Sequence, residues 1–153
     1  MNFRHTRVFT PSASSLLHVE RLTNLGIFVS RVRPASIWTS ERILLVDPSF
    51  PRERLRGYLP DALWITEEGV RIFIEYERTR KSNPRVRQKI EVFDLEMARV
   101  DRFMDFVLWI VELDRLESIT ELTRLLENQD VRTLAEFERE ISGRKAGKSA
   151  YES

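Results

Sequence analysis

The chain contains no cysteine and only two histidines among its 153 residues. Disulfides and thiolate metal centres are therefore excluded, and a metal site would have to be built from oxygen ligands and at most two imidazoles. Net charge is almost absent as well, because 25 lysines and arginines face 24 aspartates and glutamates and leave +1. So small a net charge produces no overall electrostatic attraction to nucleic acid or membrane, and any such attraction must come from local charged patches.

Long apolar runs are also missing. No segment reaches the roughly 20 apolar residues that a membrane-spanning helix needs, and no apolar signal segment opens the chain, so we expect a cytoplasmic protein without a membrane partner. A length of 153 residues fits one domain. We predict a basic N-terminal arm over 1–11, a folded domain over 12–142 and a disordered basic tail over 143–153.

Apolar periodicity and capping signals predict helices in four places. The first begins at Thr10-Pro11-Ser12 and stops at Asn24 and Gly26, and the others cover 83–100, 118–126 and 133–141. Strand-like segments are predicted at 27–29, 36–38, 62–66, 70–78 and 106–111, the last buried on both faces. Residues 41–46 are ambiguous between helix and strand, and 47–57 form a Pro- and Arg-rich loop that we expect to be a flexible basic flap. The pattern is that of an α/β fold.

Residues 62–66 and 70–78 are predicted to form a β-hairpin with the turn Glu67-Glu68-Gly69, and three acids lie in it or next to it. Asp61 heads the first strand, and alternation puts Glu75 and Glu77 on one face of the second, roughly 6 to 7 Å apart at the backbone. A buried hairpin has no structural use for facing carboxylates. Because Mg²⁺ and Mn²⁺ prefer oxygen ligands, the three acids predict a divalent-cation site.

Pro60-Asp61, the string IEYERTRKS over 74–82, and then Arg85 and Lys89 resemble the PD-(D/E)XK or restriction-endonuclease-like nuclease superfamily. Within it, the string looks most like the MobC-type plasmid mobilisation relaxases and the replication-relaxation proteins. The resemblance covers roughly residues 14 to 112. It implies a mixed β-sheet flanked by helices, and a Mg²⁺- or Mn²⁺-dependent DNA endonuclease or nickase of plasmid mobilisation or replication. Its expected partners are DNA and other relaxosome or replication proteins.

The resemblance implies that the acids Asp61, Glu75 and Glu77 form the cation site, with Asp61 and Glu75 as ligands and Glu77 either as a further metal ligand or as a base beside them. The general nuclease pattern has lysine where this chain has Glu77, so the positive charge that stabilises the transition state would come from Lys81 or Lys89. The full set of candidate catalytic side chains is Asp61, Glu75, Glu77, Lys81, Lys89 and Glu41.

The attacking group is expected to be water or a tyrosine. Tyr58 is favoured over Tyr76, because strand alternation sends Tyr76 away from the acids. The candidate DNA contacts are Arg52, Arg54, Arg56, Arg85 and His18.

Each candidate also has a purely structural interpretation. The Glu75 and Glu77 side chains can form a solvated hairpin face paired with Arg71 or Arg78, and Asp61 can cap a turn. The lysines and Arg85 can be a solvated helix face, and His18 a histidine at the edge of the core. These interpretations leave two other functions open: a catalytically inactive DNA- or protein-binding module of the same fold, and a non-enzymatic structural or regulatory protein.

Overall fold

The computed structural model describes residues 12–78 and 83–143, so the predicted arm, residues 144–153 of the predicted tail, and Lys81 lie outside it. Its strands form one sheet in the order β1-β2-β3-β4-β5: β1 (Ile37–Ser40), β2 (Ala62–Ile65), β3 (Arg71–Glu77), β4 (Phe106–Val111) and β5 (Gln129–Thr133). Its helices are α1 (Ala13–Val32), α2 (Glu41–Val46), α3 (Asn83–Met97), α4 (Leu113–Thr123), α5 (Leu134–Gly143) and a 3-10 helix (Arg52–Leu55).

The sheet is mixed. Strands β1, β2 and β3 form an antiparallel meander, whereas β3, β4 and β5 run parallel to one another. Parallel neighbours need a long crossover, and α3 and α4 supply the two that are required here. The hairpin prediction is confirmed, with Gly69 at the positive φ of +83° that its turn requires. The α/β class is confirmed as well, and β4 lies between two strands and is buried on both faces as predicted.

Two apolar cores lie on opposite faces of the sheet, as the predicted alternation along β3 requires. Phe73 faces a core that includes Trp109 of β4 and Phe93 of α3. Ile72 and Ile74 face the other core, to which α1 and α5 contribute. The acids of β3 have odd numbers, like Phe73, and they therefore belong to the face that α3 covers.

The first helix is longer than predicted. It continues through the expected stop signals, Asn24 and Gly26, to Val32, so the prediction of a strand-like segment at 27–29 is wrong. Packing explains the glycine: a Cβ at Gly26 would lie 2.7 Å from Nε1 of Trp38, so only glycine lets the indole approach α1 so closely.

Other boundaries also differ from the predictions. Helix α3 ends at Met97, which leaves Val100 outside the helix and exposed. Helix α4 begins at Leu113 rather than at Ser118, and 41–46 is helical. A capping box is present instead at Thr133, whose amide donates to Oε2 of Glu136 while the Glu136 amide donates to Oγ1 of Thr133. None of the helices in the described ranges combines the length and apolarity that crossing a membrane requires.

The central position of β4 yields a stability test with a matched control. Val107 is 0% exposed and Val100 is fully exposed, so Val→Ala makes the same chemical change in opposite environments. We expect Val107→Ala to lower the free energy of unfolding by about 1–3 kcal/mol, through lost burial and the cavity it leaves. Val100→Ala should stay within about 0.5 kcal/mol of wild type. Urea denaturation measures both, and equal effects would contradict the assigned strand order.

Candidate active site

The candidate site lies where β2 begins and β3 ends. Asp61 immediately precedes β2, and its Oδ2 accepts a 2.8 Å hydrogen bond from the backbone amide of Tyr76 in β3. The backbone oxygen of Asp61 accepts a 3.0 Å hydrogen bond from the amide of Glu41, the first residue of α2. Asp61 is thus tied by its side chain to one strand and by its main chain to a helix, which fixes the carboxylate within the sheet.

Lys89 of α3 forms an ion pair with Glu75 of β3. Its Nζ lies 2.7 Å from Oε2 of Glu75, and the Lys89 side chain is 15% exposed. Glu75 is 0% and Glu77 1% exposed, so the alternative interpretation of a solvated hairpin face is wrong. The Arg71 guanidinium pairs with Asp105 instead. Between the two lysines that the sequence offered, the structure brings Lys89 to the acids, while Lys81 lies outside the described residues.

A cavity of about 230 Å³ opens beside this ion pair. Its polar lining comes from side chains that the sequence nominated: His18, Glu41, Tyr58, Asp61, Glu77, Arg85 and Lys89. Gly57, Leu59 and Val86 complete the wall. Of the three acids, only Asp61 and Glu77 line the cavity. Glu75 does not line it and instead forms the ion pair with Lys89.

The charges in the cavity stabilise one another. Burial disfavours a charged Lys89, but the carboxylates of Glu75 and Asp61 outweigh it and raise the lysine pKa above its usual range. Burial also disfavours the Asp61 carboxylate, yet the hydrogen bond from His18 and the nearby Lys89 ammonium together lower the Asp61 pKa. At neutral pH the Asp61 carboxylate therefore faces the Lys89 ammonium group in the cavity.

His18 and Tyr76 approach Asp61 from the face of the sheet that lies opposite to α3. Nε2 of His18 lies 3.4 Å from Oδ1 of Asp61, and its ring lies 5.9 Å from that of Tyr76. The Tyr76 hydroxyl donates to Oε1 of Glu112, and burial and this carboxylate raise the Tyr76 pKa to about 12. Such a phenol is a poor nucleophile, in keeping with the preference for Tyr58, whose hydroxyl lies at the cavity and donates to Gln88.

The loop arginines are arranged differently from the expected flexible flap. Residues 52–55 form a 3-10 helix with Leu55 fully buried. Arg54 pairs with the buried carboxylate of Glu96 and lies over the Phe103 ring, 5.2 Å from its centroid.

The other two arginines of this loop have no part in the cavity lining. Arg52 donates to the Leu45 carbonyl, whereas Arg56 is exposed at a left-handed φ of +50°. Of the predicted DNA contacts, only His18 and Arg85 line the cavity, and a DNA role for the three loop arginines remains a prediction.

Two partners of the site were not anticipated from the sequence. Gln88 and Glu112 accept the hydroxyls of Tyr58 and Tyr76. Gln88 lies one helical turn after Arg85 on α3, so the period of that helix was the signal that could have found it. Glu112 gave no such signal, because it depends on β3 and β4 being neighbours.

Comparison with known proteins gives no relative: no family model, curated protein or solved structure matches the chain. Within residues 12–78 and 83–143, no group of three or more acids or histidines is arranged to hold a metal ion. The donor chemistry still fits Mg²⁺ or Mn²⁺ through two ligands, because Asp61 and Glu77 place carboxylates on one cavity and Mg²⁺ in proteins usually takes one or two, with water completing its shell. A metal role for all three acids remains a prediction.

The buried ion pair predicts an asymmetric mutational response. Lys89→Met would leave the Glu75 carboxylate buried without its ammonium partner, so we expect the free energy of unfolding to fall by about 3–5 kcal/mol. Adding Glu75→Gln removes the charge that was left behind, and the double variant should recover much of that loss. Thermal and urea denaturation of both variants at pH 7 would measure the recovery; a double variant no more stable than Lys89→Met would contradict the pairing.

The lowered pKa of Asp61 predicts a loss of stability in acid. Its folded-state pKa lies below the ordinary value of 3.8 for an aspartate, so the ionised group stabilises the fold above that pH and the contribution disappears as pH falls through the folded pKa. We expect the free energy of unfolding to drop less steeply below about pH 4 in Asp61→Asn than in wild type. Urea titrations from pH 6 to pH 3 in EDTA provide the comparison, and parallel pH profiles would refute the assignment.

Proposed function

We propose that this protein is a metal-dependent DNA endonuclease or nickase of the restriction-endonuclease-like fold. The observation that carries the proposal is the cavity in which Asp61, Glu77 and Lys89 meet at the junction of β2, β3 and α3. Two carboxylates and an ammonium group on one small cavity are the elements that metal-assisted phosphodiester cleavage needs.

The order of the elements supports the fold assignment. A helix, an antiparallel meander of three strands, a second helix and a strand parallel to the third follow one another from α1 to β4. The resemblance implies a mixed β-sheet flanked by helices, and this order is compatible with it, with Asp61 at the start of the second strand and Glu75 and Glu77 on the third. A role in plasmid mobilisation or replication, with relaxosome or replication proteins as partners, belongs to the same proposal.

Asp61 and Glu77 are the residues that would hold Mg²⁺ or Mn²⁺ at this cavity. When bound, such an ion neutralises phosphate charge and lowers the pKa of an attacking water. Lys89 donates its N–H groups to the phosphate oxygen on which negative charge develops, and Glu75 fixes the ammonium in place for that contact.

Arg85 and His18 lie on the same cavity and contact the neighbouring phosphates. The attacking group is water, with the Tyr58 hydroxyl as the alternative, because the pKa of Tyr76 is too high and its hydroxyl is committed to Glu112.

Nicking of supercoiled plasmid in the presence of Mn²⁺ or Mg²⁺ tests the proposal. We expect Asp61→Asn and Glu77→Gln each to lower the nicking rate by about 10²-fold or more, through lost metal binding. Isothermal titration with Mn²⁺ should show correspondingly weaker binding in both variants.

Glu121→Gln is the matched control, because Glu121 is an exposed acid of α4 that pairs only with Arg124 among the described ion pairs. It should nick at the wild-type rate, and circular dichroism should show that all variants keep their fold. A folded wild type that neither nicks any plasmid substrate nor binds Mn²⁺ would overturn the enzyme proposal. DNA binding retained under those conditions would favour the inactive binding module.

A further inference from the structure

An apolar groove of about 640 Å³ runs along α1 beside the edge strand β1 and the short helix α2. Its apolar lining consists of Val19, Leu22, Ile27, Trp38 and Ile43. Three of these side chains, Val19, Ile27 and Ile43, are about half exposed, although they lie in a concave surface where neighbours would be expected to cover them. Exposed apolar surface gathered in this way marks a binding site rather than chance exposure.

The groove is continuous with the candidate active site. His18, Glu41 and Asp61 line both the groove and the catalytic cavity. Any molecule whose reacting phosphate enters the cavity therefore places its neighbouring groups at the mouth of the groove. In a nucleic acid, the group attached next to a phosphate is a nucleoside, whose base has two apolar faces and a polar edge.

The lining suits such a base. Trp38 is half-buried, and the absence of a side chain at Gly26 lets its indole approach α1 closely. The two basic side chains of the groove, Arg31 and Arg42, are exposed and available to flanking phosphates. Bases within a duplex are stacked on both faces and paired at their edges, so only a base outside the stack can use this surface.

We propose that the groove binds an unpaired nucleobase adjacent to the scissile phosphate, so that the substrate is single-stranded DNA or a locally unpaired segment. This inference rests on the proposed nuclease function for its placement of the phosphate. It also makes a claim about binding that holds whether or not the bond is cleaved.

Fluorescence anisotropy in EDTA, where no metal supports cleavage, measures the binding directly. Labelled 12-nucleotide single strands and the matching duplex are the probes. We expect wild type to bind the single strand more tightly than the duplex. The double variant Ile27→Glu/Ile43→Glu should bind the single strand about tenfold or more weakly, because base stacking against protein side chains contributes about 1–3 kcal/mol per base. Its duplex affinity should change by less than about twofold.

Leu113→Glu/Leu125→Glu is the matched control, since both leucines are exposed on the α4 side of the molecule, away from the groove. It should bind both probes like wild type.

Trp38 supplies a second readout, because Trp64 and Trp109 are buried: single strands should quench its emission, and a Trp38→Phe variant should lose that quenching.

Three results would overturn the inference. The first is equal affinity for single strand and duplex in wild type, and the second is single-strand binding that the groove variant leaves unchanged. The third is a dimer in analytical ultracentrifugation that the groove variant dissociates without altering DNA binding, which would assign the groove to a second copy of the chain. Failure of the nuclease proposal would look different: single-strand preference and its loss in the groove variant would persist without any nicking in Mn²⁺.

Discussion

A carboxylate buried on an interior strand beneath a lysine from the next helix is the constraint on which the rest of this structure depends. Glu75 lies on β3, which has a neighbouring strand on each side. Its side chain is fully buried and has no contact with solvent. Desolvating an ion costs several kcal/mol, and only a close opposite charge offsets it. The 2.7 Å contact with Lys89 therefore constrains how α3 lies on the sheet, and α3 in turn closes one wall of the cavity.

Under the proposed function, this ion pair has a role that an apolar pair could not fill. An apolar pair of similar volume would stabilise the fold at least as well, because buried ion pairs rarely repay their desolvation in full. What the pair provides is a charged ammonium held at a fixed point, with Asp61 and Glu77 facing the same cavity. A flexible surface lysine would supply the same charge without the position, and preorganised charge is what stabilises a transition state.

The sequence predicted the local features well and the tertiary ones poorly. Alternation along β3 placed Glu75 and Glu77 on one face because it is a property of the strand itself, and the hairpin followed from its turn residues. The sequence could not decide between Lys81 and Lys89, because helical spacing does not determine how a helix packs on a sheet. Strand β5 was missed because Gln129–Thr133 is a polar edge strand whose pairing with β4 is its main support. Arg54 looked like a surface cation because its partner Glu96 lies 42 residues away.

Under the proposed nuclease function, the same geometry has a consequence for Glu77. Where the general nuclease pattern has a lysine on the strand, this chain has an acid, and the ammonium reaches the site from α3 instead. The strand then carries the acid and the helix carries the lysine, but the cavity still contains carboxylates beside one ammonium group. Relative to that pattern the added carboxylate is Glu77, which lines the cavity, whereas Glu75, the acid that the pattern shares, forms the ion pair with the lysine of α3. The lysine of the helix thus depends on Glu75 for its position, because its long side chain reaches the site from another element and the ion pair is what holds the ammonium there.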